Sequence, residues 1–206
     1  MEGRTIMTVY LVRHGRDDDT VRGGWSDASL SAVGISQAEA LAARLKSDEA
    51  FHAGVIYTSD LPRAKETAQI LGEALSLPVI DRPAFRETNN GVLAGMKNEI
   101  ADEKYPNLYW NSLGWNQTYP EGESPHSFYK RIMGAWKAFR REVENKPHDV
   151  ILVTHGGVIN VILHIERGMW YSNKRRGFYT PNAGIVAVPL RDQKEEKHEK
   201  TSDLSK

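Results

Sequence analysis

The 206-residue chain contains no cysteine. Disulfides and thiolate metal sites are therefore excluded, and a reducing, cytoplasmic setting is expected. Net charge is absent too: Lys plus Arg number 27, and so do Asp plus Glu. A nucleic-acid partner normally needs a basic excess, so none is expected. No apolar run approaches the ~20 residues that cross a bilayer, which argues against a membrane partner. Residues Met1 to Met7 carry Arg4 but no long apolar stretch and no small-residue cleavage site, so they do not read as a signal peptide. Internal repeats are missing. From Arg191 to Lys206 the chain is charged and, Leu204 apart, lacks apolar residues. A disordered tail is expected there. The remaining length, 1–190, suits a single domain.

What is present begins with Val9-Tyr10-Leu11-Val12, a short apolar run that stops at Arg13-His14-Gly15. Its length and its β-branched and aromatic content mark a buried strand. A second run, Val150-Ile151-Leu152-Val153-Thr154, stops at His155-Gly156-Gly157. Two buried strands that each end in His-Gly point to one ligand site, because ligands of open α/β sheets bind at the C-terminal strand edge. Gly54 to Thr58, Leu77 to Ile80 and Gly184 to Val188 read as further strands.

Helices alternate with these strands. Ser31 is a candidate N-cap for a helix that buries Ala38, Leu41, Ala42 and Leu45. Ser59 or Asp60 is a candidate cap for the next, which has Pro62 in its first turn and Ala64, Ala68, Leu71 and Leu75 inward. Arg63 then lies in the first turn of a helix that follows a strand, on the same sheet edge as His14. A third helix is predicted from about Ser124 to Asn145, and a fourth, buried on most sides, from Val158 to Glu166. The expected fold is α/β, a three-layer sandwich with a largely parallel sheet between helices. Residues 92–123 show no strand pattern and carry Tyr105, Tyr109, Trp110, Trp115 and Tyr119; they are expected to form a small cap insertion over the C-terminal strand edge.

Arg13, His14, Arg63, Glu87 and His155 collect at strand ends. Two guanidinium forks match the oxygens of a phosphate. Two histidines allow nucleophile and acid/base roles, and one carboxylate can carry a proton. Phosphoryl transfer needs mainly positioning and charge neutralisation, which fixed cations supply, so no metal and no other cofactor is required. Nearby arginines would also keep an attacking imidazole unprotonated. A backbone carbonyl on its other ring nitrogen would fix the tautomer. The expected ligand is a small phosphate ester.

These motifs resemble the histidine phosphatase superfamily, in the branch that holds the cofactor-dependent phosphoglycerate mutases and their phosphatase relatives. The likeness runs from about residue 8 to 188. Arg13-His14-Gly15 is similar to its signature. Leu30-Ser31-Ala32-Val33-Gly34-Ile35-Ser36-Gln37-Ala38 resembles its first helix start, and Ser59 to Ala68 its Ser-x-x-x-Arg-Ala-x-x-Thr-Ala segment. Phe85-Arg86-Glu87 resembles its proton-donor segment, and Thr154 to Ile159 its second-histidine motif. The resemblance implies that His14 is the nucleophile and Glu87 the proton donor. Arg13, Arg63 and His155 would then form the phosphate pocket.

The sequence departs from that pattern after the signature. Arg16-Asp17 stand where Glu-Thr or Gln-Ser is usual, the Trp-Asn pair is missing, and the loop to Gly24 is short. The usual Asn helps hold phosphate in the family; Thr20 or Arg22 is the expected replacement here. The run Asp17-Asp18-Asp19 reads as a solvated loop. Arg175 and Arg176 read as a solvated basic pair. The expected activity is metal-independent phosphomonoester hydrolysis through a phosphohistidine. Its alternatives are a cofactor-dependent phosphoglycerate mutase and a phosphate-binding regulatory module with little turnover.

Overall fold

The computed structural model describes residues 7–175 and 177–190. The predicted tail and Arg176 lie outside the described residues.

Five strands form one sheet: β1 (Thr8–Arg13), β2 (Ala53–Thr58), β3 (Val79–Asp81), β4 (Asp149–Thr154) and β5 (Ile185–Pro189), in the order β3-β2-β4-β1-β5. β1, β2, β3 and β4 pair in parallel; β5 closes one edge antiparallel to β1. Such a sheet must be covered on both faces, and the period-2 alternation of side chains divides it cleanly. Val9, Leu11, Tyr57, Val150 and Leu152 face one helical layer, while Val12, Ile56, Ile151 and Val153 face the other. β3 covers three residues, Val79 to Asp81, and so starts two residues later than the apolar run suggests.

The second layer holds α1 (Ala32–Ser47) and α2 (Pro62–Leu75). Ser31 caps α1 as expected, accepting from Gly34 N. The expected cap of α2 does not form. Leu61 occupies the N-cap position without a side-chain bond. Asp60 is drawn instead into a bidentate pair with Arg86, at 2.6 and 2.5 Å, and Ser59 turns towards His155.

The first layer holds α4 (Pro125–Val143) and α5 (Gly156–Glu166). Ser124 and Ser127 form a reciprocal capping box at the start of α4. Phe128, Ile132, Trp136, Phe139 and Val143 then recur on one face, all buried. Burying such side chains stabilises by roughly 1.5–3 kcal/mol each, which anchors this layer against the sheet. α5 starts at Gly156, two residues earlier than its apolar pattern, because His155 itself takes the N-cap position.

Between Phe85 and α4 the chain makes a 3-10 turn (Gly91–Leu93), the short helix α3 (Asn98–Lys104) and several turns. Leu93, Ala101, Leu113 and Tyr119 bury one another there as a small separate core. No helix among the described residues is long and apolar enough to cross a membrane.

Candidate active site

Parallel pairing of β1 with β4 sets Arg13 opposite Thr154. The next residue on each strand is a histidine, so the pairing itself brings the two imidazoles together. Their ring centroids lie 5.0 Å apart, tilted by 60°. Both rings are buried, His14 at 5% exposure and His155 at 0%. The backbone turns sharply after His14. A Cβ at Gly15 would overlap the Gly34 carbonyl, so only glycine lets this loop lie against α1.

The His14 ring is fixed at both nitrogens. Nδ1 lies 2.7 Å from the Gly15 carbonyl and so must donate to it. Nε2 therefore carries the lone pair, and it accepts from Arg63 Nε at 3.3 Å. Burial, then the positive charges of Arg63 and Arg13, lower the His14 pKa to about 3; the Gly15 bond opposes them. The imidazole is thereby favoured in its neutral form.

Arg63 reaches this point from the first turn of α2 and is 2% exposed. Its terminal nitrogens donate to backbone carbonyls, Nη1 to Ser26 at 3.1 Å and Nη2 to Gly24 at 2.7 Å. The Gly24 to Ser26 loop is thus tied to α2 by one guanidinium. On its other side Arg63 Nε lies 3.2 Å from Asp17 Oδ2. Burial lowers the Arg63 pKa from its usual value, against the attraction of Asp17 and Glu87.

His155 accepts or donates through Nε2 to Ser59 Oγ at 2.9 Å. Ser59 Oγ already accepts from Leu61 N at 3.4 Å, so its own hydrogen is free to point at Nε2. In the tautomer where Ser59 donates to Nε2, Nδ1 carries the N–H. Burial, with Arg63 next, pushes the His155 pKa well below the usual value. Two buried nitrogens of this cluster have no hydrogen-bond partner among the described residues: His155 Nδ1 and Arg13 Nε. Orphaned buried groups are rare and need an explanation. Here both belong to side chains packed around His14. Arg13 is held by Nη1 donating to the Thr180 carbonyl at 2.9 Å.

Glu87 follows the 3-10 turn Pro83–Phe85. Its Oε2 accepts from Gly157 N at 3.0 Å, in the first turn of α5, and Oε1 from Thr88 N at 3.0 Å. A Cβ on Gly157 would overlap Oε1, so the second glycine of the His-Gly-Gly run makes room for this carboxylate. The Glu87 carbonyl is clamped by Trp25 Nε1 at 2.6 Å and Arg131 Nη2 at 2.9 Å. Glu87 lines a cavity of about 400 Å³ with Arg22, Tyr109, Trp110 and Tyr119. A second cavity, about 350 Å³, opens beside Arg13 and also reaches Gly157. Other nearby carboxylates are elsewhere engaged or exposed: Glu99 and Glu121 face solvent, and Glu123 binds Arg131 and the Asn89 N–H.

The structure thus brings His14, Arg63 and His155 into one cluster, with Arg13 beside it and Glu87 on the adjoining cavity wall. Neither suggested stand-in for the missing Asn joins them. Thr20 is exposed and turns its hydroxyl onto Asp18 at 2.7 Å, closing a local turn. Arg22 pairs with Asp102 at 2.5 Å and stacks over Tyr109, on the cavity wall. The triple Asp loop is not uniformly solvated. Asp18 and Asp19 are exposed, but Asp17 forms an isolated bridge with Leu30 and points at Arg63. Sequence patterns gave no sign of Ser59 as a partner of His155, or of Arg131 as the clamp on the Phe85 to Glu87 loop. Among the described residues no group of three or more His, Asp or Glu is placed to hold a metal ion.

The fold is of the α/β class, and this His-Arg-His arrangement has the donors and charge that suit a phosphate group. The chain belongs to the histidine phosphatase superfamily (branch 1), which it matches over residues 9–201. It is 33% identical over 197 residues to the metal-independent phosphoserine phosphatase of Arabidopsis thaliana, covering 92% of this chain and 79% of that one. It is 34% identical over 182 residues to the "Probable phosphoglycerate mutase GpmB" of Yersinia enterocolitica, covering 83% and 80%. Among solved structures, the mycobacterial glucosyl-3-phosphoglycerate phosphatase superposes with a TM-score of 0.72 at 26% identity, covering 89% of this chain and 90% of that one. By family, therefore, the chain is a histidine phosphatase.

Proposed function

We propose that this enzyme hydrolyses small phosphomonoesters without a metal, through a phosphohistidine on His14. The observation that carries the reading is the His14 ring: neutral, with Nδ1 pinned to the Gly15 carbonyl and the Nε2 lone pair facing Arg63. An imidazole locked in that tautomer is a ready nucleophile.

In the proposed reaction His14 Nε2 attacks phosphorus as the ester oxygen leaves. The Arg63 Nε–H gives up its bond to Nε2 and follows the phosphoryl oxygens. His155 Nδ1–H and Arg13 Nε, the two orphaned donors, take oxygens as well. Glu87, protonated, gives its proton to the leaving oxygen. As a carboxylate it then takes a proton from water, whose oxygen attacks the phosphohistidine and releases phosphate. The N–P bond breaks and His14 returns neutral. Residues 92–123 act as a cap that shapes the leaving-group cavity through Tyr109, Trp110 and Tyr119.

Hydrolysis is favoured over phosphoglycerate mutation because a mutase must also hold a second anionic group. Arg22, on the wall of the cavity beside Glu87, is already paired with Asp102. The test is hydrolysis of p-nitrophenyl phosphate in excess EDTA. Full activity in the chelator is expected. Loss of activity there, restored by a divalent metal, would sink the metal-free reading. Turnover that requires bisphosphoglycerate would favour the mutase.

Gly157→Ala offers a test of the acid. The added methyl must push Glu87 away from the leaving group, so kcat should fall about tenfold or more while phosphate inhibition stays unchanged. An unaltered kcat would show that this contact does not set the position of the proton donor.

A further inference from the structure

The pocket around His14 holds one group that the proposed reaction does not use. Asp17 stands two residues after the signature glycine, Gly15, and is partly buried. Its Oδ2 lies 3.2 Å from Arg63 Nε, the same nitrogen that donates to the nucleophilic His14 Nε2. Asp17 is therefore paired with the guanidinium that orients the attacking atom. A phosphoryl group on Nε2 must compete with it for Arg63.

Charge balance sharpens the conflict. The walls of the site carry Arg13 and Arg63 against Asp17 and Glu87. Three further arginines are already paired: Arg22 with Asp102, Arg131 with Glu123 and Arg86 with Asp60. The two guanidiniums nearest His14 are thus balanced by two carboxylates, while Lys174 and Arg175 are exposed on the wall of the cavity beside Arg13. Protonated Glu87, which the leaving group requires, restores one charge. A proton on Asp17 would free the Arg63 charge as well.

We propose that Asp17 is a built-in competitor for the phosphate site: ionised, it occupies Arg63 and weakens phosphate binding, and it takes up a proton when phosphate enters. This rests on the hydrolase reading of the same site. The groups facing Asp17 are Arg63 from α2, Arg13 from the end of β1, and its neighbour Asp18; the His14 ring lies on the same Arg63 nitrogen and is neutral. Burial, with a smaller contribution from Asp18, raises the Asp17 pKa above the ordinary carboxylate value, while Arg63 and Arg13 pull it back. The sign follows directly. Phosphate binding is strongest with Asp17 protonated and weakens as pH rises through its raised pKa. Wherever Asp17 is ionised, the enzyme binds phosphate below its capacity.

The experiment is calorimetric titration of inorganic phosphate into wild type, Asp17→Asn and Asp17→Glu, at about pH 5.5 and about pH 8. Buffers of different ionisation enthalpy report the protons taken up. The ionisation of phosphate itself is common to all three proteins and cancels. Asp17→Asn should bind phosphate on the order of tenfold or more tighter than wild type at the higher pH, as removal of one unit charge a few ångströms away implies. The gap should narrow at the lower pH, and the variant should take up fewer protons on binding. Asp17→Glu, which keeps the charge, should retain the wild-type dependence and guards against a merely structural effect. Equal affinity and equal proton uptake in wild type and Asp17→Asn would overturn the proposal, as would weaker binding in that variant. Because binding is read without turnover, these outcomes stand whether or not the protein hydrolyses esters. Phosphate binding that responds as described in a protein inactive on p-nitrophenyl phosphate would refute the hydrolase reading alone.

Discussion

Replacing His14 by alanine should lower p-nitrophenyl phosphate turnover by at least ~10⁴-fold, as loss of a nucleophile does in enzymes whose catalytic groups act as a unit. The fold should survive. The ring makes two hydrogen bonds, to the Gly15 carbonyl and from Arg63 Nε, and its backbone N–H to the Thr154 carbonyl is unaffected by the change. A neutral His14 also carries a stability signature. Its folded pKa, about 3, lies below the unfolded value of 6.5. The unfolded chain therefore binds the extra proton first, and His14 contributes stability that is complete above about pH 6.5 and is lost as pH falls towards 3. Alanine removes that loss, so the variant should resist acid better than wild type in a thermal melt at about pH 4.5. A variant that keeps wild-type turnover would place the nucleophile elsewhere.

Arg63→Ala should reduce kcat/KM by roughly 10³-fold, near the loss expected when a preorganised donor to developing charge is removed. Three connections fail at once. The Gly24 and Ser26 carbonyls lose their donor, His14 Nε2 loses its orienting N–H, and Asp17 is left as an unpaired, partly buried carboxylate. The second and third act on the reaction, the first and third on the fold. Arg63→Lys separates them. Lysine restores a charge beside Asp17 but cannot span the two carbonyls and His14 with a planar fork. It should recover much of the lost thermal stability and little of the lost kcat/KM. If lysine recovers both, the guanidinium geometry is not what positions His14.

The sheet was legible because its alternation serves two helical layers. Val9 and Leu11 point one way and Val12 the other, and each set is fully buried. The histidines could be paired from sequence for the same reason: each follows the last residue of a parallel strand, and the register makes them neighbours. Arg63 could be placed because its helix starts at the same edge. Asp17 could not. Within an Asp-Asp-Asp run nothing local distinguishes the residue whose side chain turns inward; the bridge to Leu30 and the reach of Arg63 decide it. Thr20 and Arg22 show the converse. Both have suitable chemistry and sit in the right loop, but Asp18 and Asp102 satisfy them locally. Ser59 and Asp60 leave the α2 cap unmade because their side chains engage His155 and Arg86 instead. Contacts across the sequence outweighed local capping preference in each case.

The most direct test of the account is to stop wild-type turnover on p-nitrophenyl phosphate under alkaline denaturing conditions and locate the phosphoryl group by peptide mass spectrometry. The account predicts a phosphoryl group on the peptide that contains His14, absent from His14→Ala. A phosphoryl group on another residue, or none during active turnover, would contradict it.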